Sequence, residues 1–326
     1  MELFFEIKDV HVQFDTSKEI VKALNGFSLN VYRGDLIGIV GESGSGKSVA
    51  VSSVINLLRP PGRIVSGDVL YKGKSVYNMS KVELERFRGG VISVIPAGAR
   101  SMLHPMLAVG RQIANVYQAH NPQVSAKEAM EKVVEILELV QIPDPHRRIK
   151  ALPGEFSGGM AQRVLIAMAL VNTPELVIAD DATTGLDVTV QAQVLDLIQD
   201  RVKKLGSAAI LFTHDLGIVA QYCRKVGIMF AGRIIEYCDS VDGLLRAAAH
   251  PYTRTLLSGT PGVPIPYEPE VNAAATSRQA ISEKGCLAQE RCLRCQPVCR
   301  AETPDFKEIM PGHFAQCHFA GRDGAI

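Results

Sequence analysis

The stretch Gly41-Glu42-Ser43-Gly44-Ser45-Gly46-Lys47-Ser48 decides how this sequence is read. Residues 27–40 before it run apolar in strand-length pieces, and residues 48–58 after it carry the spacing of a helix. Strand, glycine loop and helix in that order form the βα entry into a parallel sheet. The loop's chemistry follows from its residues. Its glycines let backbone N–H groups converge on phosphate oxygens at a helix N-terminus. Lys47 brings a positive charge to the β- and γ-phosphates, and the Ser48 hydroxyl suits a Mg²⁺ ligand. Gly41, Ser43, Gly44, Gly46, Lys47 and Ser48 are therefore the candidate nucleotide-binding residues. A glycine turn without function would not need that flanking strand and helix.

Outward from the loop, residues 6–14 alternate like a strand, and 176–179 and 208–212 are short apolar runs expected as buried strands. Residues 80–170 read mostly as helix, most clearly Lys127 to Val140. Further helices are expected at 188–205 and 216–223, and strands near 226–237. Asp180 ends the run 176–179, and a carboxylate at a buried strand tip beside a phosphate loop can hold Mg²⁺ through water. Ser157-Gly158-Gly159 opens a helix with a capping hydroxyl and bare N–H groups, a second anion site by its chemistry. Taken alone, Asp180 is a turn residue and Ser157 an ordinary N-cap. Their order along the chain gives them weight.

The chain has 326 residues, 47% hydrophobic and 21% charged, which is ordinary globular composition. Its 35 basic and 34 acidic residues leave a formal net charge of +1, so nothing points to nucleic acid or an anionic membrane surface. No apolar stretch is long enough to span a bilayer. The start, Met1-Glu2-Leu3-Phe4-Phe5-Glu6, lacks the basic region of a signal peptide. The expected location is the cytoplasm, with any membrane attachment made through a protein partner.

Phosphate loop, Ser157-Gly158-Gly159, Asp180, then Thr184-Gly185-Leu186-Asp187 and finally His214 follow the order found in the ATP-binding-cassette ATPases. The set resembles that family over residues 1 to about 250. The resemblance implies an α/β P-loop core with an antiparallel β subdomain and a helical subdomain at about 98–170. It also implies two such domains facing each other, with ATP between one P-loop and the other's signature. On that basis Ser157, Gly158 and Gly159 touch the partner's ATP, and Asp187 lies in the loop linking the two sites. His214 contacts the γ-phosphate, and Phe14, nine residues before Ala23-Leu24, stacks on adenine.

The sequence departs from the family pattern at two places. The glutamate that polarises the attacking water is replaced by Asp181, one methylene shorter, followed by Ala182 in place of proline. A displacement of about 1 Å can cost roughly 100-fold in rate. In Ile95-Pro96-Ala97-Gly98, Ala97 stands where related importers carry glutamine, and alanine can neither ligate Mg²⁺ nor bond water. Together these imply an asymmetric heterodimer in which this chain's own site, with Asp181 and His214 as catalytic residues, turns over slowly. The alternative is that Asp181 suffices and both sites work.

Composition shifts near residue 250. Eight of the 17 prolines and five of the seven cysteines lie beyond it. His250-Pro251-Tyr252-Thr253-Arg254-Thr255-Leu256-Leu257 and the cysteines after it resemble the junction and tail of oligopeptide, dipeptide and nickel importer ATPases. Four thiols, Cys286, Cys292, Cys299 and Cys317, suit a 4Fe–4S cluster or tetrahedral zinc, with Cys295 extra. The resemblance favours the cluster; zinc, a disulfide and free thiols remain open. Cys223 and Cys238 are expected as buried hydrophobes. The expected architecture is a nucleotide-binding domain at 1–250 and a small irregular Cys-rich domain at 251–326. The implied cofactors are ATP, Mg²⁺ and the cluster. The implied partners are a second ATPase subunit, two integral membrane permeases and an extracytoplasmic solute-binding protein, with the chain on the cytoplasmic face of the cell membrane. The rivals are a non-catalytic ATP-gated subunit and a soluble cassette ATPase outside any transporter.

Overall fold

Apolar residues make the first strand amphipathic, with buried positions at Phe5 and Ile7 and, after a register shift between Lys8 and His11, at Val10 and Val12; Phe4 is buried as well. In the computed structural model, which describes residues 2–258, 260 and 284–320, β1 spans Leu3–Asp15 and buries Phe5, Ile7, Val10 and Val12. β2 (Ile20–Tyr32), β4 (Gly62–Tyr71) and β5 (Lys74–Ser75) join it in a four-stranded sheet of order β2-β1-β4-β5. The β1–β4 and β4–β5 pairings are antiparallel. Between β2 and β4 the chain forms β3 (Leu36–Val40), every residue of it buried, and then α1 (Lys47–Val54). The helix was expected to run through residue 58. It ends earlier because Asn56 adopts a left-handed φ of 50°, a common helix stop.

The next block contains α2 (Lys81–Phe87), β6 (Ile92–Pro96), α3 (Ala99–Met102), α4 (Val109–His120) and α5 (Ala126–Leu139). It continues with α6 (Pro145–Arg148), α7 (Gly158–Leu170), β7 (Leu176–Asp180), α8 (Val188–Leu205) and β8 (Ala208–Thr213). Capping boxes start α2 at Ser80 with Glu83 and α5 at Ser125 with Glu128. Residues 80–170 are mostly helix as expected, and β6 is the strand that interrupts them. Ile92, Val94 and Ile95 are β-branched, Gly89-Gly90 and Pro96 bound the run, and it pairs in parallel with β7. The strands order as β8-β7-β6.

The chain then forms α9 (Leu216–Tyr222), β9 (Lys225–Phe230), β10 (Arg233–Cys238), α10 (Val241–Ala247), α11 (Pro251–Ser258), α12 (Pro297–Ala301), β11 (Lys307–Met310) and β12 (His313–Ala315). The order here is β11-β12-β10-β9-β3, with β3 and β9 parallel and the rest antiparallel. The sequence led us to expect an irregular tail. The tail instead supplies two strands, and β12 pairs with β10 through Glu236–Ala315, Tyr237–Phe314 and Cys238–His313.

The chain folds as two compact units that alternate along the sequence. The first contains Tyr32–Asp35 and Asn78–Leu211; the second contains Leu3–Val31, Leu36–Tyr77 and the chain from Phe212 onward. The first is the helical unit with β6 and β7. The second holds the antiparallel sheet, the phosphate loop and the cysteine segment. No helix among the described residues is long and apolar enough to cross a membrane.

Candidate functional site

The phosphate loop lies in the second unit, between the buried end of β3 and the start of α1. Gly46 precedes the helix with φ 105°, a left-handed conformation that glycine adopts without strain. A side chain there would also meet the Ala23 carbonyl of β2 at 2.8 Å. At Gly41 a Cβ would stand 2.6 Å from the Met229 carbonyl and from Ser45 Oγ. The glycines are thus required by the loop's close approach to β2 and β9. No side chain caps α1, so its first N–H groups are left to a ligand.

Lys47 is 6% exposed, and its ammonium donates to the carbonyls of Gly41 at 2.7 Å and Glu42 at 3.1 Å. The loop therefore keeps the cation inside its own curve. Ser45 Oγ is buried with no hydrogen-bond partner in the loop, while Ser43, Gly44 and Ser48 are exposed. The Gly41 N–H donates to Thr213 O at 3.2 Å, which ties the loop to the end of β8. His214 comes directly after that residue and is exposed. Phe14, half-buried on β1, pairs with Gly62 of β4, where a Cβ would meet the Phe14 ring at 2.7 Å.

Ser157, Gly158, Gly159, Asp180, Asp181 and Asp187 belong to the first unit. Ser157 is the N-cap of α7, and its hydroxyl accepts from the Met160 N–H at 3.2 Å. Ser157 and Gly158 are exposed, and nothing lies within 4 Å of a Cβ built on Gly158. A Cβ on Gly159 would meet Val190 Cγ1 at 3.0 Å, so α7 and α8 approach closely there. The bland reading of Ser157 as a cap is correct, and it leaves that helix end open to solvent.

Asp180 closes β7, with one carboxylate oxygen buried. Asp181 follows with a left-handed φ of 47°. Short Asp tolerates that conformation better than most side chains. Asp187 is the N-cap of α8 and accepts from the Val190 N–H at 3.0 Å. Ala97 follows β6, whose Pro96 carbonyl accepts from Gln162 of α7 at 3.3 Å.

The cysteine segment packs in the second unit. Cys286, Cys299 and Cys317 are buried, Cys292 and Cys295 half-buried, and none of the seven cysteines is in a disulfide. Burial pushes Cys286 up to about 11, and the nearby Cys317, Cys292 and Cys299 thiols add to the rise. Burial likewise holds Cys292 at about 11, with Cys317 and Cys299 among its neighbours. The four thiols therefore influence one another. Even so, among the described residues no three His, Cys, Asp or Glu side chains close on a point suited to one metal ion. Cys223 and Cys238 are buried, as expected, and burial lifts Cys223 to about 12.

Sequence reasoning missed what the His250-Pro251-Tyr252 junction does. Glu236 on β10 is fully buried and accepts from the N–H groups of Ala249 at 2.7 Å and His250 at 2.9 Å. Its Oε1 also lies 2.7 Å from His313 Nε2 on β12. His250 Nδ1 accepts from the Tyr252 N–H at 3.1 Å, and burial lowers its imidazole to about 4. One buried carboxylate thus fastens both the junction and the tail strand to the sheet. A lone glutamate in an apolar strand pattern was the available signal.

Comparison with known proteins agrees with this geometry. The family described as "ABC transporter" matches residues 24–184, and "Oligopeptide/dipeptide transporter, C-terminal region" matches residues 235–299. A probable peptide ABC transporter ATP-binding protein of Sinorhizobium fredii is 42% identical, over 97% of this chain and 95% of that protein. The oligopeptide transport ATP-binding protein OppD of Escherichia coli is 38% identical, over 97% of this chain and 93% of its own length. Among solved structures, a dimeric ATP-binding cassette in a post-hydrolysis state with ADP and phosphate superposes with a TM-score of 0.63 at 25% identity. That match covers 71% of this chain and 96% of the cassette. With its phosphate loop, its signature helix and a tail woven into the sheet, this chain belongs to the ATP-hydrolysing, ATP-binding subunits of ABC transporters, in the oligopeptide/dipeptide branch.

Proposed function

We propose that this chain binds and hydrolyses ATP to power the import of peptides or similar small solutes, paired with a second, non-identical ATPase subunit. The observation that carries the pairing is the unequal condition of its two half-sites. The signature end of α7 is intact and exposed at Ser157 and Gly158. The hydrolytic side has Asp181 and Ala97 in place of the longer, more polar residues of the family pattern. Lys47 and the loop amides hold the phosphates, Ser48 and Asp180 serve Mg²⁺, and Phe14 stacks on the base. Asp181 and His214 place the attacking water, slowly. Ser157, Gly158 and Gly159 complete the partner's faster site, and Asp187 lies between the two.

The peptide assignment is supported by relatives named for peptide, oligopeptide and dipeptide transport. In this reading the chain sits on the cytoplasmic face of the cell membrane, held by two permease subunits that receive solute from an extracytoplasmic binding protein. ATP closes the ATPase pair, and hydrolysis with phosphate release reopens it. Separate Lys47→Ala and partner P-loop lysine→Ala variants of the purified heterodimer test the asymmetry. The partner's mutation is expected to abolish turnover while Lys47→Ala leaves a measurable fraction. Equal losses would reject the unequal pair. An isolated chain that binds ATP without turning it over, beside a pair that does hydrolyse it, would make this chain an ATP-gated, non-catalytic subunit, the rival that Asp181 and Ala97 keep open.

The same proposal gives Cys286, Cys292, Cys299 and Cys317 to a 4Fe–4S cluster. The four thiols along the tail, and the match of residues 235–299 to the oligopeptide/dipeptide transporter C-terminal region, support it. Such a cluster would staple a tail that has little core of its own. Anaerobic purification should give a brown protein with visible charge-transfer absorbance and bound iron and sulfide. Colourless protein after anaerobic reconstitution would reject the cluster.

A further inference from the structure

Glu42 is the second residue of the phosphate loop, and its side chain is held from a point 249 residues away in sequence. Arg291 Nη1 donates to Glu42 Oε2 at 3.0 Å, and Nη2 donates to Oε1 at 3.1 Å. This is the two-pronged fork that only arginine makes with a carboxylate. The arginine side chain is 10% exposed and the glutamate 37%, so the pair is anchored from the arginine side. The guanidinium lies 5.5 Å from the Phe230 ring centre and 5.4 Å from that of Tyr252. Those rings stand 4.6 Å apart and come from the end of β9 and from α11. Desolvated contacts of this kind hold a guanidinium in one orientation.

The loop residue so held is not a bystander. The Glu42 carbonyl accepts from Lys47 Nζ at 3.1 Å and from the Ser45 N–H at 3.1 Å. Turning Glu42 therefore moves both the carbonyl that steers the ammonium and the turn that aims Ser45. Arg291 immediately precedes Cys292. Its own N–H donates to Ala288 O at 3.0 Å, so its position depends on the fold of the cysteine segment.

We infer that Arg291 is a positioning residue for the phosphate loop, through which the cysteine segment sets nucleotide affinity. The inference rests on reading residues 41–48 as the ATP loop. Full-length protein carrying Arg291→Ala, Glu42→Gln, both changes, or Arg291→Lys would be titrated with a fluorescent ATP analogue and Mg²⁺, with thermal unfolding followed in parallel. Arg291→Ala and Glu42→Gln are each expected to weaken binding roughly 5- to 30-fold. The double variant should bind no worse than either single one, and Arg291→Lys, with one contact in place of two, should fall between. Unchanged affinity in folded Arg291→Ala and Glu42→Gln would overturn the inference, as would additive losses in the double variant. If Arg291→Ala fails to fold, Glu42→Gln decides, because it leaves the arginine and its aromatic slot intact. Lys47→Ala separates the premise from the inference. Binding that survives Lys47→Ala rejects the ATP loop itself, whereas loss there with normal Arg291 and Glu42 variants rejects only the coupling.

Discussion

Two helices of this chain begin at glycine-rich turns, and they are finished in opposite ways. α1 has no side-chain cap, a left-handed glycine before it, a buried lysine folded into its turn, and strands pressed against Gly41 and Gly46. α7 has its cap already filled by Ser157, and open space at Gly158. The first end is a cradle shaped from behind, in which N–H groups and a cation wait for an anion. The second is a completed, exposed helix start that needs nothing from its own chain. A helix N-terminus can thus be built either to receive a ligand or to be presented to one, and burial of the turn tells the two apart.

The largest blow to this contrast is Lys47→Ala. It should cut ATP affinity by roughly 100-fold, the scale of lost charge-assisted phosphate bonds, as read by nucleotide titration. A drop under twofold would make α1 no better an anion site than α7. The second test concerns the junction that secures the α1 unit. Folded His250 titrates at about 4, while an exposed imidazole titrates near 6.5. Between those values the unfolded chain binds a proton that the folded chain refuses. Stability is therefore full above about pH 6.5 and declines as pH falls toward 4, by roughly 3 kcal/mol in all. Denaturant unfolding across that window should show this slope, and His250→Asn should remove its share.

Gly46→Ala should destabilise the protein by about 2 kcal/mol, from a strained φ and contact with the Ala23 carbonyl. Ser157→Ala should cost about 1 kcal/mol, the ordinary value of a cap. Gly158→Ala should change stability by less than about 0.5 kcal/mol while lowering ATP turnover of the assembled pair. Equal destabilisation by Gly46→Ala and Gly158→Ala in thermal melts would erase the difference between the cradle and the presented end.

What was legible in the sequence was local. The phosphate loop, Asp180 at its strand end and the cap Ser157 each sit within a few residues of the elements that define them, and their order along the chain exposes them. β6 was hidden because a five-residue run, Ile92–Pro96, inside a long helical stretch fits either period. Other features were illegible for a different reason. Glu42 and Arg291, Glu236 and His313, and β10 and β12 are partners from distant parts of the chain, and no periodicity records such a match. The tail read as irregular because its strands are only four and three residues long. They become strands by adding to an existing edge.

That addition has a consequence for how the protein is made. The second unit draws on Leu3–Val31, Leu36–Tyr77 and the chain from Phe212 onward, so its segments leave the ribosome well apart in time. The phosphate loop emerges early, yet Arg291 follows Glu42 by 249 residues and β12 comes later still. The first unit, nearly continuous from Asn78 to Leu211, can finish while the earlier strands still wait. A nascent chain stalled after β10 would carry every sequence motif of the ATPase. It would also carry a naked β10 edge and a buried carboxylate without its histidine, a template for misassembly that β12 removes.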